Sequence, residues 1–237
     1  MPPAPYSGAW GSHDRPQSTL PAPAPPPTET PRRHDPFRAR GSCNRQKESA
    51  ITITTLDPKT ALIIIDLQKG IVSYPTAHPA GEVVRHASAL AAAFRSHRLP
   101  VVLVNVDGGA PGRTEQGPRL AERPAGWTDF VPELNRQPED HTLTKQTWGA
   151  FTNTGLEPHL KTLGVTQVVI AGVATSIGVE STARHAHELG FNVVLAVDAM
   201  TDLSPEAHTN SVTRIFPRLG ETGVTKEILD LLEQRSA

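Results

Sequence analysis

Short apolar runs recur in the second part of the chain, and they do not alternate with polar residues. They are rich in valine and isoleucine, which is typical of strands buried on both faces of a parallel sheet. Four runs predict strands: ALIIID (61–66), PVVLVNV (100–106), QVVIAGV (167–173) and NVVLAVD (192–198). Two shorter segments, HTLTK (141–145) and GETGV (220–224), are candidates for further strands, which gives six in all.

Helical patterns fill the segments between these runs. The predicted helices cover 81–99, 154–165, 176–191, 204–219 and 225–234. Gly164 and Gly190 end two of them, a Ser-Pro-Glu opening starts the fourth, and Thr225 is the expected cap of the last. Strands that alternate with helices predict an α/β fold: a doubly wound, mostly parallel, six-stranded sheet with helices on both faces, which is a Rossmann-like architecture.

Composition divides the chain in two. Eleven of the 23 prolines fall within residues 1–49, where apolar periodicity is almost absent. Such a segment cannot bury enough surface to offset its ordering entropy, so we expect 1–49 to be a disordered tail and 50–237 to be one domain. The single cysteine, Cys43, lies in that tail, so the predicted domain has no thiol.

Charge and hydropathy exclude several partners. The formal net charge is −1, which gives no indication of nucleic-acid binding, and no apolar run is long enough to span a membrane. The single cysteine allows no intrachain disulfide, which fits a reducing setting, and we expect a cytoplasmic protein. The irregular stretch 107–140 is long for a compact domain and is typical of a functional loop or lid. Its Trp127 and Phe130 are candidates for a lid or a subunit contact.

Polar residues follow several predicted strands at the point where each strand ends. In an open parallel sheet, ligands bind beyond the carboxyl ends of the strands. Asp66, Lys145 and the turn 174–178 are therefore expected to converge at one edge, and Asn105, Asp107 and Asp198 are expected along the same edge.

Three segments resemble one known family. They are ALIIIDLQKGI, TKQTWGAFTNTGL and GVATSIGVESTARHAHELGFNVVLAVDAMTDLSPEAHTNSV. They are similar, in order and over roughly residues 55–230, to the isochorismatase-like, or cysteine hydrolase, superfamily. The resemblance implies that Asp66 and Lys145 are catalytic and that the family's nucleophilic cysteine corresponds to Gly178. Its nucleophile is therefore absent from this chain.

A glycine at position 178 determines which reaction we expect. One branch of the family, the isochorismatases, resembles this chain in having glycine at that place, and it hydrolyses a vinyl ether without a protein nucleophile. By that resemblance Asp66 is the general acid, which requires a raised pKa. Burial among apolar neighbours raises the pKa of Asp66 and a nearby Lys145 lowers it, and the sequence leaves the balance open. Some relatives hold a metal through histidines that NVDGGAPGR (105–113) lacks, so we expect no metal and no cofactor.

Further residues are candidates for substrate binding. The opening of the helix after the fourth strand offers N–H groups for a substrate carboxylate, and loop side chains could hold a second anionic group. Trp148 and Phe151 are equally consistent with a pocket wall and with core. The expected substrate-binding set is Asn105, Arg113, Gln116, Trp148, Phe151, Ala174, Thr175, Ser176 and Ile177.

Two other functions stay open. The chain is alternatively a catalytically inactive member of the family that binds a small molecule or serves in assembly, or an amide hydrolase that uses water or Ser176. Ser176 is more simply the N-cap of its helix. The turn GVATSIGV differs from the isochorismatase pattern, which leaves the substrate open. The expected partners are a small-molecule substrate and further copies of the chain, in a dimer or larger homo-oligomer.

Overall fold

The computed structural model describes residues 53–115 and 123–235. Six strands form one parallel sheet: β1 (Thr60–Ile65), β2 (Val101–Val106), β3 (His141–Lys145), β4 (Gln167–Val173), β5 (Asn192–Thr201) and β6 (Glu221–Gly223). Their order across the sheet is β3-β2-β1-β4-β5-β6, with every neighbouring pair parallel. The α-helices are α1 (Lys69–Val72), α2 (Ala80–Ser96), α3 (Leu156–Thr162), α4 (Glu180–Glu188), α5 (Pro205–Asn210) and α6 (Thr225–Gln234).

The sheet is buried on both faces. Alternate residues of β1 point to opposite sides, so that Leu62 and Ile64 join one hydrophobic cluster and Ile63 and Ile65 join the other. The first cluster includes the apolar faces of α2 and α6, and the second includes those of α3 and α4. The predicted α/β fold with a six-stranded sheet and helices on both faces is confirmed.

Several predicted helices differ in detail. The run after β4 opens with a π-helical turn, Thr175–Val179, before α4 begins. The predicted helix over 204–219 is three short pieces: α5, a π-turn (Ser211–Ile215) and a 3-10 turn (Phe216–Arg218) that contains Pro217, which has no N–H to continue a helix. Thr225 is the first residue of α6 and not its cap, because the Glu227 carboxylate accepts the Val224 N–H instead.

The described parts of the stretch 107–140 contain more regular structure than the sequence predicts. Its 3-10 turn, Pro132–Leu134, was not predicted, and Phe130 pairs with Gln68 in an isolated antiparallel bridge. The Trp127 ring lies directly against Gly70, and Phe130 packs on the first hydrophobic cluster. Both aromatic residues therefore fasten the loop to the domain.

Two remaining predictions stand as follows. The tail–domain boundary at 49/50 lies outside the described residues and stays a prediction. Among the residues that are described, no helix combines the length and the hydropathy that crossing a membrane requires.

Candidate active site

Asp66 and Lys145 form a buried ion pair at the carboxyl edge of the sheet. Asp66 follows β1 directly, and Lys145 is the last residue of β3, with β2 between them. Lys145 Nζ lies 2.7 Å from Asp66 Oδ2 and also donates to the Thr147 carbonyl at 3.2 Å. The two residues are only 5% and 2% exposed. The structure thus brings together two residues 79 positions apart, as the strand ends predict.

Burial determines the acidity of the Asp66 carboxyl group. Desolvation raises its pKa from 3.8 to about 6, although the Lys145 ammonium opposes the rise through its charge and its hydrogen bond. The balance that the sequence leaves open is therefore decided by burial. Oδ1 of Asp66 is buried and has no hydrogen-bond partner among the described residues, whereas Oδ2 accepts from Lys145.

Gly178 lies against this carboxyl group. A Cβ added at Gly178 would be 3.3 Å from Asp66 Oδ2 and 3.0 Å from Ile65 Cγ2. A side chain at this position would therefore touch the acid directly. The three predicted catalytic positions, Asp66, Lys145 and Gly178, therefore lie together. They contribute a carboxyl group, an ammonium group and a backbone without a side chain.

The turn before Gly178 is held by Asp202, which the sequence reasoning missed. Ser176 N–H donates to Asp202 Oδ2 at 2.7 Å, and Asp202 Oδ1 accepts from Leu203 and Ser204 N–H. Ser176 is consequently not an N-cap: the turn begins at Thr175 after Ala174, with no side-chain cap. The Ser176 N–H already donates to the Asp202 carboxylate, so it is not free to bind a substrate carboxylate as the sequence predicts.

The strand prediction explains why Asp202 was missed. The predicted strand 192–198 stops at Asp198, whereas β5 continues to Thr201. Asp198 therefore lies within the strand, where it accepts hydrogen bonds from the N–H and hydroxyl groups of Thr225. Its assignment to the carboxyl edge is wrong, and the carboxylate that follows β5 is Asp202.

Asn105 contributes to the edge mainly by holding the loop. Its Nδ2 donates to the Thr128 carbonyl at 2.9 Å, while its Oδ1 is buried without a partner among the described residues. The fully buried Gln68, which was not singled out from the sequence, donates to the Val106 and Trp127 carbonyls and accepts the Val106 N–H. Its position two residues after Asp66 was the available signal.

The other predicted binding residues are dispersed. Of the two roles expected for Phe151, core and pocket wall, the structure shows core, because its ring packs against Phe191 and His185. Trp148 is 61% exposed, and Arg113 is exposed on the loop. Gln116 lies outside the described residues. Ile177 belongs to the same turn as Gly178.

Thr182 connects the two halves of the site. Its hydroxyl group accepts the Ala150 N–H at 3.0 Å and donates to the Gly178 carbonyl at 2.7 Å. Residues 145–150 and the Gly178 turn are therefore joined by one buried side chain. Within residues 53–115 and 123–235, no group of three or more histidine, cysteine or acidic residues is arranged to hold a metal ion.

Comparisons with known proteins show the family of this chain. The Isochorismatase domain family matches residues 60–227. The uncharacterized isochorismatase family protein YwoC of Bacillus subtilis (strain 168) is 44% identical over 179 residues, covering 73% of this chain and 93% of that protein. Streptothricin hydrolase of Streptomyces noursei is 36% identical over 140 residues, covering 59% of this chain and 48% of that enzyme.

A solved structure gives the same assignment. An isochorismatase family protein from Burkholderia thailandensis is 41% identical, superposes with a TM-score of 0.73, and covers 76% of this chain and 98% of its own. The family match, the sequence identities and the shares of the chains that are covered give the same assignment. The chain belongs to the isochorismatase family of hydrolases.

Proposed function

We propose that this protein hydrolyses a small molecule without a covalent protein intermediate, with Asp66 as a general acid that acts on a vinyl ether. The observation that carries the proposal is the position of Gly178: a Cβ added to this glycine would lie 3.3 Å from Asp66 Oδ2, and the native residue places no side chain there. A cysteine hydrolase needs a sulfur nucleophile there, and glycine offers none. Protonation chemistry needs only an acid of suitable pKa.

The pKa of Asp66 suits that role. With a pKa of about 6, roughly a tenth of the Asp66 carboxyl groups are protonated at pH 7. Lys145 already donates to Oδ2, so the proton belongs on Oδ1. Once the proton has left, the Lys145 ammonium stabilises the carboxylate that remains.

The reaction balances as hydrolysis. Asp66 gives its proton to the terminal carbon of the enol ether, and the π electrons form that C–H bond, which leaves an oxocarbenium ion. Water adds to the cationic carbon and loses a proton to the Asp66 carboxylate. The resulting hemiketal transfers its hydroxyl proton to the leaving oxygen as that C–O bond breaks, which releases an alcohol and a ketone. The acid is regenerated, and one water molecule is consumed.

An amide substrate is the second candidate. At pH 7 most Asp66 groups are ionised, because the pKa lies below neutrality, and a carboxylate can activate water as a general base. The name of the related streptothricin hydrolase also indicates hydrolysis. Ser176 is a weaker nucleophile candidate, because no described hydrogen bond links its hydroxyl group to Asp66 or Lys145.

A paired activity screen tests the proposal. Wild-type protein is assayed against a panel of enol ethers and a panel of amides, with loss of the enol absorbance and release of amine as readouts. We expect enol-ether turnover, and we expect Asp66→Asn to lower kcat by about a hundredfold or more. The matched control is Asp129→Asn, since Asp129 also pairs with a lysine but on the surface. Full activity in Asp66→Asn would contradict the mechanism.

Gly178→Cys separates the remaining alternatives. Amidase activity gained by this variant would indicate an amidohydrolase that has lost its nucleophile. Turnover of neither panel by the wild-type protein would favour the non-catalytic binding role. We also propose that the protein is a homo-oligomer, and a clean monomer in size exclusion with light scattering would contradict that.

A further inference from the structure

A second polar cluster contacts the turn that carries Gly178. Thr175 is fully buried, and its Oγ1 is 2.9 Å from Nδ1 of His208 on α5. The mechanism proposed above does not use this contact. It joins α5 to the turn by one side-chain hydrogen bond, three residues before the position that faces Asp66.

His208 is itself held in place by its neighbours. Its ring meets the His78 ring edge-on, with centroids 4.6 Å apart. His78 is fixed in turn by Thr201, whose hydroxyl group accepts the His78 N–H at 3.0 Å and lies 3.2 Å from its Nδ1. Burial and the nearby His78 lower the pKa of His208, although Asp202 opposes this. A neutral imidazole keeps one acceptor nitrogen, which suits a hydroxyl partner.

The turn is therefore fixed from three directions. His208 holds the Thr175 hydroxyl group, Asp202 holds the Ser176 N–H, and Thr182 holds the Gly178 carbonyl. Asp202 and Thr182 bind the backbone of the turn. His208 instead binds a side chain of the turn, the Thr175 hydroxyl group. This hydrogen bond can therefore be removed from either end, by replacing His208 or Thr175, and the backbone hydrogen bonds of the turn keep their partners.

We propose that His208 is a positioning residue, which acts through Thr175 to set the distance between residue 178 and the Asp66–Lys145 pair. The inference concerns the same site as the proposed function but does not depend on its reaction. A purely structural histidine would contribute packing alone, and its replacement would change stability without changing the environment of residue 178.

A thiol introduced by Gly178→Cys reports that environment without any substrate. The chain has one native cysteine, so Cys43→Ser removes the background. The pKa of the introduced thiol is obtained from the pH dependence of its alkylation by iodoacetamide, followed by mass spectrometry. Measuring the pKa matters because a loosened turn also changes access, and therefore the limiting rate. When the turn is in place, the nearest charged group is the Asp66 carboxylate, whose Oδ2 would lie 3.3 Å from the new Cβ; this charge and the burial of the site raise the thiol pKa, and the Lys145 ammonium on the same oxygen opposes them only in part.

Two variants remove the His208–Thr175 bond. We expect His208→Leu and Thr175→Val each to lower the pKa of the introduced thiol, because the loosened turn moves it away from the Asp66 carboxylate and admits water, so that the thiolate fraction near neutral pH rises roughly tenfold. The thiol pKa of the double variant should be no lower than that of either single variant, because both substitutions remove the same interaction. His208→Asn, whose side-chain oxygen can replace Nδ1 as acceptor, should restore the original pKa.

A second histidine pair provides the control. His159 stacks on His141 with ring centroids 3.7 Å apart and lies on α3, so His159→Leu should leave the thiol unchanged. Thermal denaturation verifies that each variant is folded, and Thr175→Val serves if His208→Leu does not fold. An unchanged thiol pKa in folded His208→Leu or Thr175→Val, strictly additive effects, or failure of His208→Asn to restore the pKa would each overturn the proposal. If neither substrate panel turns over while the thiol responds as expected, the proposed function fails and this inference stands.

Discussion

Two lysine–aspartate pairs in this protein have similar lengths and opposite surroundings. Lys145 and Asp66 are separated by 2.7 Å, and Lys69 and Asp129 by 3.0 Å. The side chains of the first pair are 2% and 8% exposed, whereas both side chains of the second are 55% exposed. Both pairs lie near the carboxyl edge of the sheet, so position alone does not distinguish them.

The difference between the pairs is how much water surrounds the charges. Water screens Lys69 and Asp129, and an exposed pair of this kind contributes about 0–1 kcal/mol. Asp66 has lost most of its hydration, and the Lys145 ammonium replaces it only in part, so its pKa rises to about 6. A short salt bridge is therefore compatible with an acid that still holds a proton near neutral pH. Burial, and not the length of the bond, makes this carboxyl group suitable for proton transfer.

Removing one partner of the buried pair should produce the largest effect. We expect Lys145→Met to lower the free energy of unfolding by about 3–4 kcal/mol at pH 7, because it leaves the Asp66 carboxylate buried and unpaired. The loss should be smaller at pH 4, where Asp66 is already protonated. Urea denaturation at both pH values measures it. An equal loss at the two pH values would show that the lysine contributes packing and not charge compensation.

The pH dependence of stability should reveal the raised pKa of Asp66. A carboxyl group whose pKa is higher in the folded state binds its proton more tightly there, so the folded state loses stability as pH rises from about 4 through 6. A rise from 3.8 to about 6 corresponds to about 3 kcal/mol lost by pH 7. Asp66→Asn removes this dependence.

The measurement is the difference in unfolding free energy between Asp66→Asn and wild type as a function of pH. The two should be close near pH 4, and the variant should gain relative stability toward pH 7. Asp129→Asn should follow the wild-type curve. A difference that does not depend on pH would mean that the pKa of Asp66 is not raised in the folded protein.

A methyl group beside the buried pair should have a moderate effect. Gly178→Ala places a Cβ 3.0 Å from Ile65 Cγ2 and 3.3 Å from Asp66 Oδ2, so we expect a loss of about 1 kcal/mol and a further rise in the pKa of Asp66. Gly81 is the matched control, since a Cβ there meets nothing within 4 Å and the residue lies in α2. Gly81→Ala should stabilise the protein by up to about 1 kcal/mol. Equal responses to the two substitutions would contradict the contact at Gly178.

The sequence predicts the buried pair better than it predicts the surroundings of the turn. Asp66 directly follows the apolar strand β1 and Lys145 ends β3, and the rule that parallel strands end at one edge is enough to place them together. The contact between Thr175 and His208 spans 33 residues and joins a buried turn to a short polar helix. Hydrophobic periodicity contains no information about such a contact, because threonine and histidine also occur on solvated surfaces.

Strand β5 shows the same limit. Asp198 follows the apolar Val197 and Asp202 follows Thr201, and the pairing of β4 with Met200 and Thr201 shows that the first aspartate lies within the strand. There Asp198 accepts hydrogen bonds from Thr225. A partly buried carboxylate inside a strand is stabilised by a partner from elsewhere in the fold. That partner comes 27 residues later, at the start of α6. The end of a strand could therefore not be deduced from its own residues.

The smallest expected effect comes from the exposed pair. We expect Lys69→Met and Asp129→Asn each to change the free energy of unfolding by no more than about 0.5 kcal/mol, since both charges remain hydrated when the partner is lost. Their double variant should show a coupling that disappears in 1 M salt, because screening acts on exposed charges. The Lys145–Asp66 coupling should persist in the same salt, since buried charges are screened much less. A salt-insensitive coupling in the exposed pair would mean that the loop of Trp127 shields it from water. Both pairs would then be shielded from water to some degree, and exposure would no longer distinguish a surface salt bridge from a site suited to proton transfer.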